Sequence, residues 1–474
     1  MVRALIKMHR RDFLTAGAAL SASMMLPGFA MAEAAPMVTV RPAPAKVPLM
    51  GAGKPETAVW AYGKSVPGPV IRIPRAKPVH IRLENHLDQA TTVHWHGIRL
   101  ANAMDGVPGF TQSAVAPGAA FDYRFTAPDA GTYWYHSHEK SWEQVARGLY
   151  GPLIVEEDTP VAVDAEQMFI VDDWRLGEDG AIAQDFGALH DAAHGGRLGN
   201  WLTVNGVTAP KFDVRPGARI RLRCISAANA RIMAFRFPGV AVHVIAVDGQ
   251  PLDAPETLED ALLLAPAQRT DLVIDIPSDA AGEITIEEVS TSEPIKAATF
   301  NVTGTPLRAA APAEMVRLPA NPLSAQSLDL DGALNVDLVM QGGAMGQLTE
   351  ATYQGQLFDM RTLVQQKGQV WAFNGEAGAP SVPLLHAALG RTVTINMIND
   401  TRWSHAMHLH GHHFQVIERD GQPVNGAPWR DTELLAPAER VRIAFLADNP
   451  GKWLFHCHML EHHMAGMGTW INVG

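Results

Sequence analysis

Two cysteines in 474 residues are too few to staple an exported protein with disulfides, so each needs its own explanation. Cys457 stands between two histidines and reads as a metal thiolate. Cys224, in RLRCISAAN, lies inside an alternating strand pattern and reads as a small buried core residue, so no disulfide is expected. The body of the chain also lacks the long apolar run of a membrane span, which excludes stable membrane insertion. Charged residues reach only 18% beside 47% hydrophobic ones, an ordinary globular balance. Positive charge is short: 38 Lys and Arg face 49 Asp and Glu, a formal net charge of −11. Such a surface repels polyanions, which excludes nucleic acid and anionic lipid as partners.

What the chain has in plenty is turn residues, 41 Gly and 33 Pro, which favour many short strands. At roughly 150 residues per domain, its length suggests about three domains. Residues 1–34 read as an address label. HRRDFL (His9 to Leu14) supplies paired arginines, Thr15 to Leu26 a mild apolar stretch, and Ala30-Met31-Ala32 an A-x-A cleavage site. The segment resembles a twin-arginine export signal, which implies a periplasmic protein. Residues 1–32 carry a net +3 (Arg3, Lys7, Arg10 and Arg11 against Asp12), so their removal takes the charge from −11 to −14.

A loose phrase occurs three times, from Ala61 to Leu87, from Asn205 to Asn229 and from Asn374 to Asp400. Each copy has a Gly turn, a Pro, and a polar turn leading into an alternating strand: VHIRL, IRLRC, VTINM. Alternation marks strands with one face on a core. A second echo links PGAAFDYRFTAPDAGTYWYHSH to PAERVRIAFLADNPGKWLFHCH, both ending in H-x-H, while the middle third carries no histidines at that point. The expectation is an all-β chain of three Greek-key sandwiches, residues 35–158, 159–304 and 305–474, the outer two holding metal.

Four clusters carry the chemistry: His94-Trp95-His96-Gly97, His136-Ser137-His138, His405-x-x-His408-x-His410, and His456-Cys457-His458 followed by His462 and Met467. Side chains at i and i+2 of a strand share a face, about 6.6 Å apart, and i+1 faces away. His94 with His96, His136 with His138, His408 with His410 and His456 with His458 thus offer eight imidazoles to one polynuclear centre. Cys457 and His405 have the opposite parity and belong to a second environment with His462 and Met467. Two histidines, one cysteine and a distant methionine form the blue-copper arrangement. Zinc also accepts such ligands, but it has no redox chemistry and leaves the eight histidines unexplained. The other ten histidines, among them His412, His413 and His463, lack partners at ligand spacing and read as solvated or hydrogen-bonded.

These motifs together, HWHG, H-x-H, H-x-x-H-x-H and HCH-x3-H-x4-M, resemble the three-domain bacterial multicopper oxidases, a laccase-like family, over nearly all of the sequence after the signal. The resemblance implies cupredoxin-like domains and four coppers per chain. His405, Cys457, His462 and Met467 match the type 1 ligands, and His94 and His408 the type 2 ligands. His96, His136 and His458 match one type 3 copper, and His138, His410 and His456 the other. It also implies a monomer whose partners are dioxygen and a small-molecule or Cu(I) electron donor. Electrons arrive at type 1 and pass through Cys457, with His456 and His458 as the catalytic bridge to the centre that reduces dioxygen to water.

Oxygen reduction also consumes protons. Asp105, in MDGVPG, matches the acidic position that the family places beside the type 2 copper; a turn aspartate before glycine is the other reading. Where many bacterial members have Glu as a second proton donor this chain has His463, and neighbouring Glu461 reads as facing solvent. Phenols and aromatic amines, oxidised at an open type 1 edge near His462, are the first donor class. Cuprous ion is the alternative, although Thr401-Arg402-Trp403-Ser404 lacks the Asp and Met that Cu(I)-oxidising members carry there, and the 19 methionines form no run. A non-enzymatic structural relative is disfavoured because all twelve ligands are kept.

Overall fold

Each copy of the threefold phrase becomes a short strand, a turn and a long strand, and the two strands of a copy join different sheets. In the computed structural model, which describes residues 37–474, Ile71–Pro74 pairs in parallel with Tyr150–Glu156. After a turn, Pro78–Glu84 runs between Met37–Val40 and Ala120–Thr126. Lys211–Val214 lies on Ile295–Val302, and Arg219–Ser226 runs between Ala165–Trp174 and Arg269–Asp275. Leu385–Ala387 lies on Gly468–Val473, and Arg391–Asn399 runs between Leu334–Gly342 and Arg440–Ala447. The three turns place Ala76, Gly217 and Gly390 at φ of 54°, 72° and 80°. Glycine adopts this left-handed conformation without strain, which is why two of the copies use it.

The alternation in each long strand does what its period requires. Ile81 and Leu83, then Leu222 and Cys224, then Val393, Ile395 and Met397 are fully buried between two sheets. Each such side chain contributes roughly 1.5–3 kcal/mol on leaving water. Three separate cores result, one per sandwich, and Cys224 lies in the middle one among Phe169, Leu222 and Met233. Both cysteines are free. The chain is all-β, three Greek-key sandwiches in sequence. Residues 1–34, with their export-signal reading, lie outside the described region. Among the described residues no helix is long and apolar enough to cross a membrane.

The strands of interest are four. His94–His96 pairs with Gly131–His136, and His405–Leu409 pairs with Gly451–Cys457. In the middle sandwich the corresponding strand, Gly282–Glu288, ends in two glutamates instead. That sandwich contributes to the site in a different way: the segment from Arg175 to Asn200, with its short helix Leu189–Ala193, packs on the helix Leu460–Met464.

Candidate metal centre

Register brings the first and last sandwiches into the same pattern: His94 lies opposite His136, and His408 opposite His456. His138, His410 and His458 follow at the strand ends with the same parity, so all eight rings converge, each buried. Rings from different sandwiches stack: His94 on His410 with centroids 4.0 Å apart, His96 on His408 at 3.7 Å. The Nε2 atoms of His410 and His456 are 3.1 Å apart, and those of His136 and His458 3.4 Å. Burial pushes His96, His136, His138, His456 and His458 well below the usual imidazole range and His410 down to about 3. These rings are neutral at pH 7, with lone pairs available to a cation.

Most of the rings are fixed through one nitrogen. His136 Nδ1 donates to the Ser137 carbonyl, His456 Nδ1 to the Cys457 carbonyl, and His408 Nδ1 to the Asp431 carbonyl. His94 Nδ1 donates to the Asp105 carbonyl at 2.8 Å. Orienting a ring through its second nitrogen is what metal-ligating histidines require. The opposite nitrogens of His94 and His408, and Nδ1 of His96, are buried without a hydrogen-bond partner. Buried orphan acceptors on this scale are costly unless something binds them. The donor set therefore fits metal ions.

Cys457 faces away from this cluster, as parity requires. Its Sγ is 3.7 Å from His405 Nδ1 and 3.7 Å from His462 Nδ1, and those two nitrogens are 3.1 Å apart. A point at the centre of such a triangle lies about 2 Å from every corner, the length of a metal–ligand bond. Burial pushes the Cys457 thiol up to about 12, so only a bound cation would make it a thiolate at neutral pH. His405 Nε2 donates to Thr401 Oγ1, which donates to Asn399 Oδ1, fixing the ring from outside. Met467 is buried in the same core cluster, its carbonyl accepting from the Cys457 amide.

Asp105 sits against the cluster. Its Oδ2 accepts from His410 Nδ1 at 2.8 Å, and its Oδ1 is 3.2 Å from His94 Nδ1. The two imidazoles hold the carboxyl well below the usual range despite its burial. The turn is possible because residue 106 is glycine: at φ 81°, any Cβ would strike the Val93 carbonyl.

Three readings of the sequence are corrected. The edge of His462 is closed: the ring is fully buried and its Nε2 donates to the His194 carbonyl at 2.7 Å. Glu461 is fully buried too, accepting from Asn229 Nδ2 at 2.9 Å and the Arg197 amide at 3.1 Å, which anchors the Arg175–Asn200 segment. His463, expected to be solvated or hydrogen-bonded, instead packs against the cluster, its ring tilted 4.2 Å from that of His456 and edge-on 5.7 Å from that of His138. Sequence reasoning also missed Asp431 and Arg269, both fully buried beside the cluster. Neither stands at a recognisable spacing from a histidine.

The family description "Multicopper oxidase" matches residues 45–160, 170–303 and 352–474. The chain belongs to the multicopper oxidases. It is similar to multicopper oxidase MmcO of Mycobacterium tuberculosis, 32% identical over 466 residues, or 91% of this chain and 86% of that one. It is similar also to the copper resistance protein A homolog of Pseudomonas syringae pv. tomato, 27% identical over 89% of this chain and 90% of the other. Among solved structures, a multicopper oxidase from Pseudomonas thermotolerans superposes with a TM-score of 0.80 at 31% identity, covering 93% of this chain and 99% of that one. This multicopper oxidase is thus a copper-dependent oxidoreductase that uses dioxygen, built from cupredoxin-like sandwiches.

Proposed function

We propose that this multicopper oxidase is a blue, four-copper enzyme taking single electrons from small aromatic donors such as phenols and aromatic amines. The observation that carries this reading is Cys457, buried with His405 and His462 and flanked in sequence by His456 and His458 of the eight-histidine cluster. Bound copper, cycling between Cu(II) and Cu(I), supplies the electron transfer and the four-electron reduction of dioxygen to water. Cys457, His405 and His462, together with Met467, would hold the type 1 copper. His94 and His408 make the type 2 set; His96, His136 and His458, and His138, His410 and His456, make the two type 3 sets. The peptide on either side of Cys457 is the covalent route between the centres. Asp105 holds two of the rings and stands where a proton must be delivered.

The donor meets the Arg175–Asn200 segment rather than His462 itself. There the His190 and His194 rings stack with centroids 4.2 Å apart, Trp403 meets His194 edge-on at 5.2 Å, and the His190 ring is 80% exposed. A flat exposed stack suits an aromatic donor. The His194 carbonyl, hydrogen-bonded to His462, continues the path inward. A second reading, cuprous oxidation, is favoured by the same place. The Ala344 amide donates to the Ala193 carbonyl, which brings the backbone next to Met345, itself 70% exposed, beside the segment that carries His190 and His194. Nitrogen and thioether ligands suit Cu(I).

Copper reconstitution tests both readings. About four coppers per chain with a strong visible thiolate band are expected, and fewer coppers or no band contradict the assignment. Oxygen uptake should be faster on a phenol than on Cu(I); a preference for Cu(I) by orders of magnitude reverses the two readings. Export to the periplasm through residues 1–34 and a monomeric state belong to the same proposal. Arg10→Lys with Arg11→Lys should leave the enzyme in the cytoplasm, and size-exclusion should return about the mass of one chain.

A further inference from the structure

The hydrogen bonds around the eight histidines repeat with a pseudo-twofold pattern. In the first sandwich Asp105 holds its own first histidine, His94, through both its carbonyl (2.8 Å) and its carboxylate (3.2 Å). Its carboxylate then crosses to the last sandwich's second histidine, His410, at 2.8 Å. In the last sandwich Asp431 holds its own first histidine, His408, through its carbonyl (2.9 Å) and its carboxylate (3.3 Å). Its carboxylate then crosses to the first sandwich's second histidine, His96, at 3.1 Å. The ring pairs so joined are the two stacked pairs. One aspartate from each outer sandwich thus ties one ring of its own to one ring of the other.

The two halves differ in the ring nitrogen that meets the crossing carboxylate, Nδ1 of His410 against Nε2 of His96, and in what holds the carboxylate itself. Asp431 has a partner from the middle sandwich: Arg269 sends Nη1 to Oδ1 at 2.8 Å and Nη2 to Oδ2 at 2.5 Å, a two-point fork between fully buried groups. Asp248, also of the middle sandwich, receives the Arg269 amide at 3.0 Å and the Asp431 and Thr432 amides at 3.2 and 3.1 Å. His413 Nε2 lies 3.4 Å from Asp431 Oδ2. The fork also explains the glycine of HWHG. At Gly97 (φ 84°) a Cβ would lie 2.4 Å from Arg269 Nη2 and 2.6 Å from Asp431 Oδ2.

We propose that Asp431 is the second positioning carboxylate of the trinuclear centre and that Arg269 locks it, so that the middle sandwich, which contributes no ligand, sets the orientation of His96 and His408. The inference rests on the copper assignment above, in which His96 serves a type 3 and His408 the type 2 copper. Severing a fork between two buried charges leaves one of them uncompensated, and the rings it aimed lose their common reference.

The test compares Asp431→Asn, Arg269→Gln and Arg269→Lys with Arg219→Gln. Arg219 makes a similar, largely buried fork with Asp275 in the same middle sandwich, away from the histidines. Copper per chain, the visible thiolate band and the type 2 paramagnetic signal are read on the intact, copper-loaded protein. Wild type must show about four coppers; if it does not, the copper assignment fails and not the lock. Expected for Asp431→Asn and Arg269→Gln is a fall toward three coppers or an altered type 2 signal, with the thiolate band intact. Arg269→Lys, which keeps the charge but not the fork, should restore the count while the signal stays shifted. Arg219→Gln should lower the melting temperature alone. If Asp431→Asn or the soluble Arg269 variants keep four coppers and an unaltered type 2 signal, or if Arg219→Gln perturbs that signal equally, the proposal is overturned.

Discussion

At the scale of single residues, the decisive groups are carboxylates in contact with rings. Asp105 is ionised and accepts from His410, so Asp105→Asn keeps the shape but loses the charge. Oxygen reduction should slow by about tenfold or more while the thiolate band stays. Steady-state oxygen uptake beside the visible spectrum checks this, and unchanged turnover removes Asp105 from the mechanism. Asp172 shows the opposite environment. Burial, with Asp173 beside it, raises its carboxyl well above the usual range, and Tyr150 donates to it at 2.7 Å. A raised carboxyl pKa means that the folded chain keeps a proton the unfolded chain has released. This group's contribution is therefore present in full below about pH 4 and falls as pH rises toward the folded value. Asp172→Asn should match wild type near pH 4 and exceed it by about 1 kcal/mol or more at pH 7. Urea midpoints of the copper-free chain at both pH values decide the point; an equal offset at each rejects it. The twelve proposed ligands were readable because strand parity is a local property and their spacing is short. Asp431 was not: its partners His96 and Arg269 are brought to it only by the packing of three sandwiches.

At the scale of elements, the threefold phrase was legible because turn residues and period-2 alternation are set within a few positions. The segment Arg175–Asn200 was not, since it has no periodicity and is held by long-range polar contacts. Arg175 binds Asp191 and Asp185, Arg197 binds Asp185, and Glu461 receives the Arg197 amide. It packs tightly on the core at Gly196, at φ 80°, where a Cβ would meet that of Ala230 at 2.3 Å. Gly196→Ala should push this cover outward at a cost of about 1–3 kcal/mol. The expected result is a higher ratio of turnover on a bulky phenol to turnover on a small one. An unchanged ratio with lowered stability would make the segment a brace and not a gate.

At the scale of the whole molecule, metal and fold are one problem. Eight buried imidazoles from opposite ends of the chain face one another, and ions that bind them only in the folded state stabilise that state by about 4 kcal/mol per site at a thousandfold excess over Kd. Removing copper with a chelator should lower the melting temperature by several degrees and leave the linkers between sandwiches easier to cleave. Calorimetry with and without copper tests this, and equal melting temperatures refute it. The seam between first and last sandwich also has a consequence for biosynthesis. Asp431 and His96 are 335 positions apart, and His458 and His136 are 322 apart. A ribosome that has finished the first two sandwiches has delivered four of the eight imidazoles and no thiolate. With the proposed ligands, copper can be loaded only after the last strand has left the ribosome, and a chain cut short before His456 forfeits both centres together.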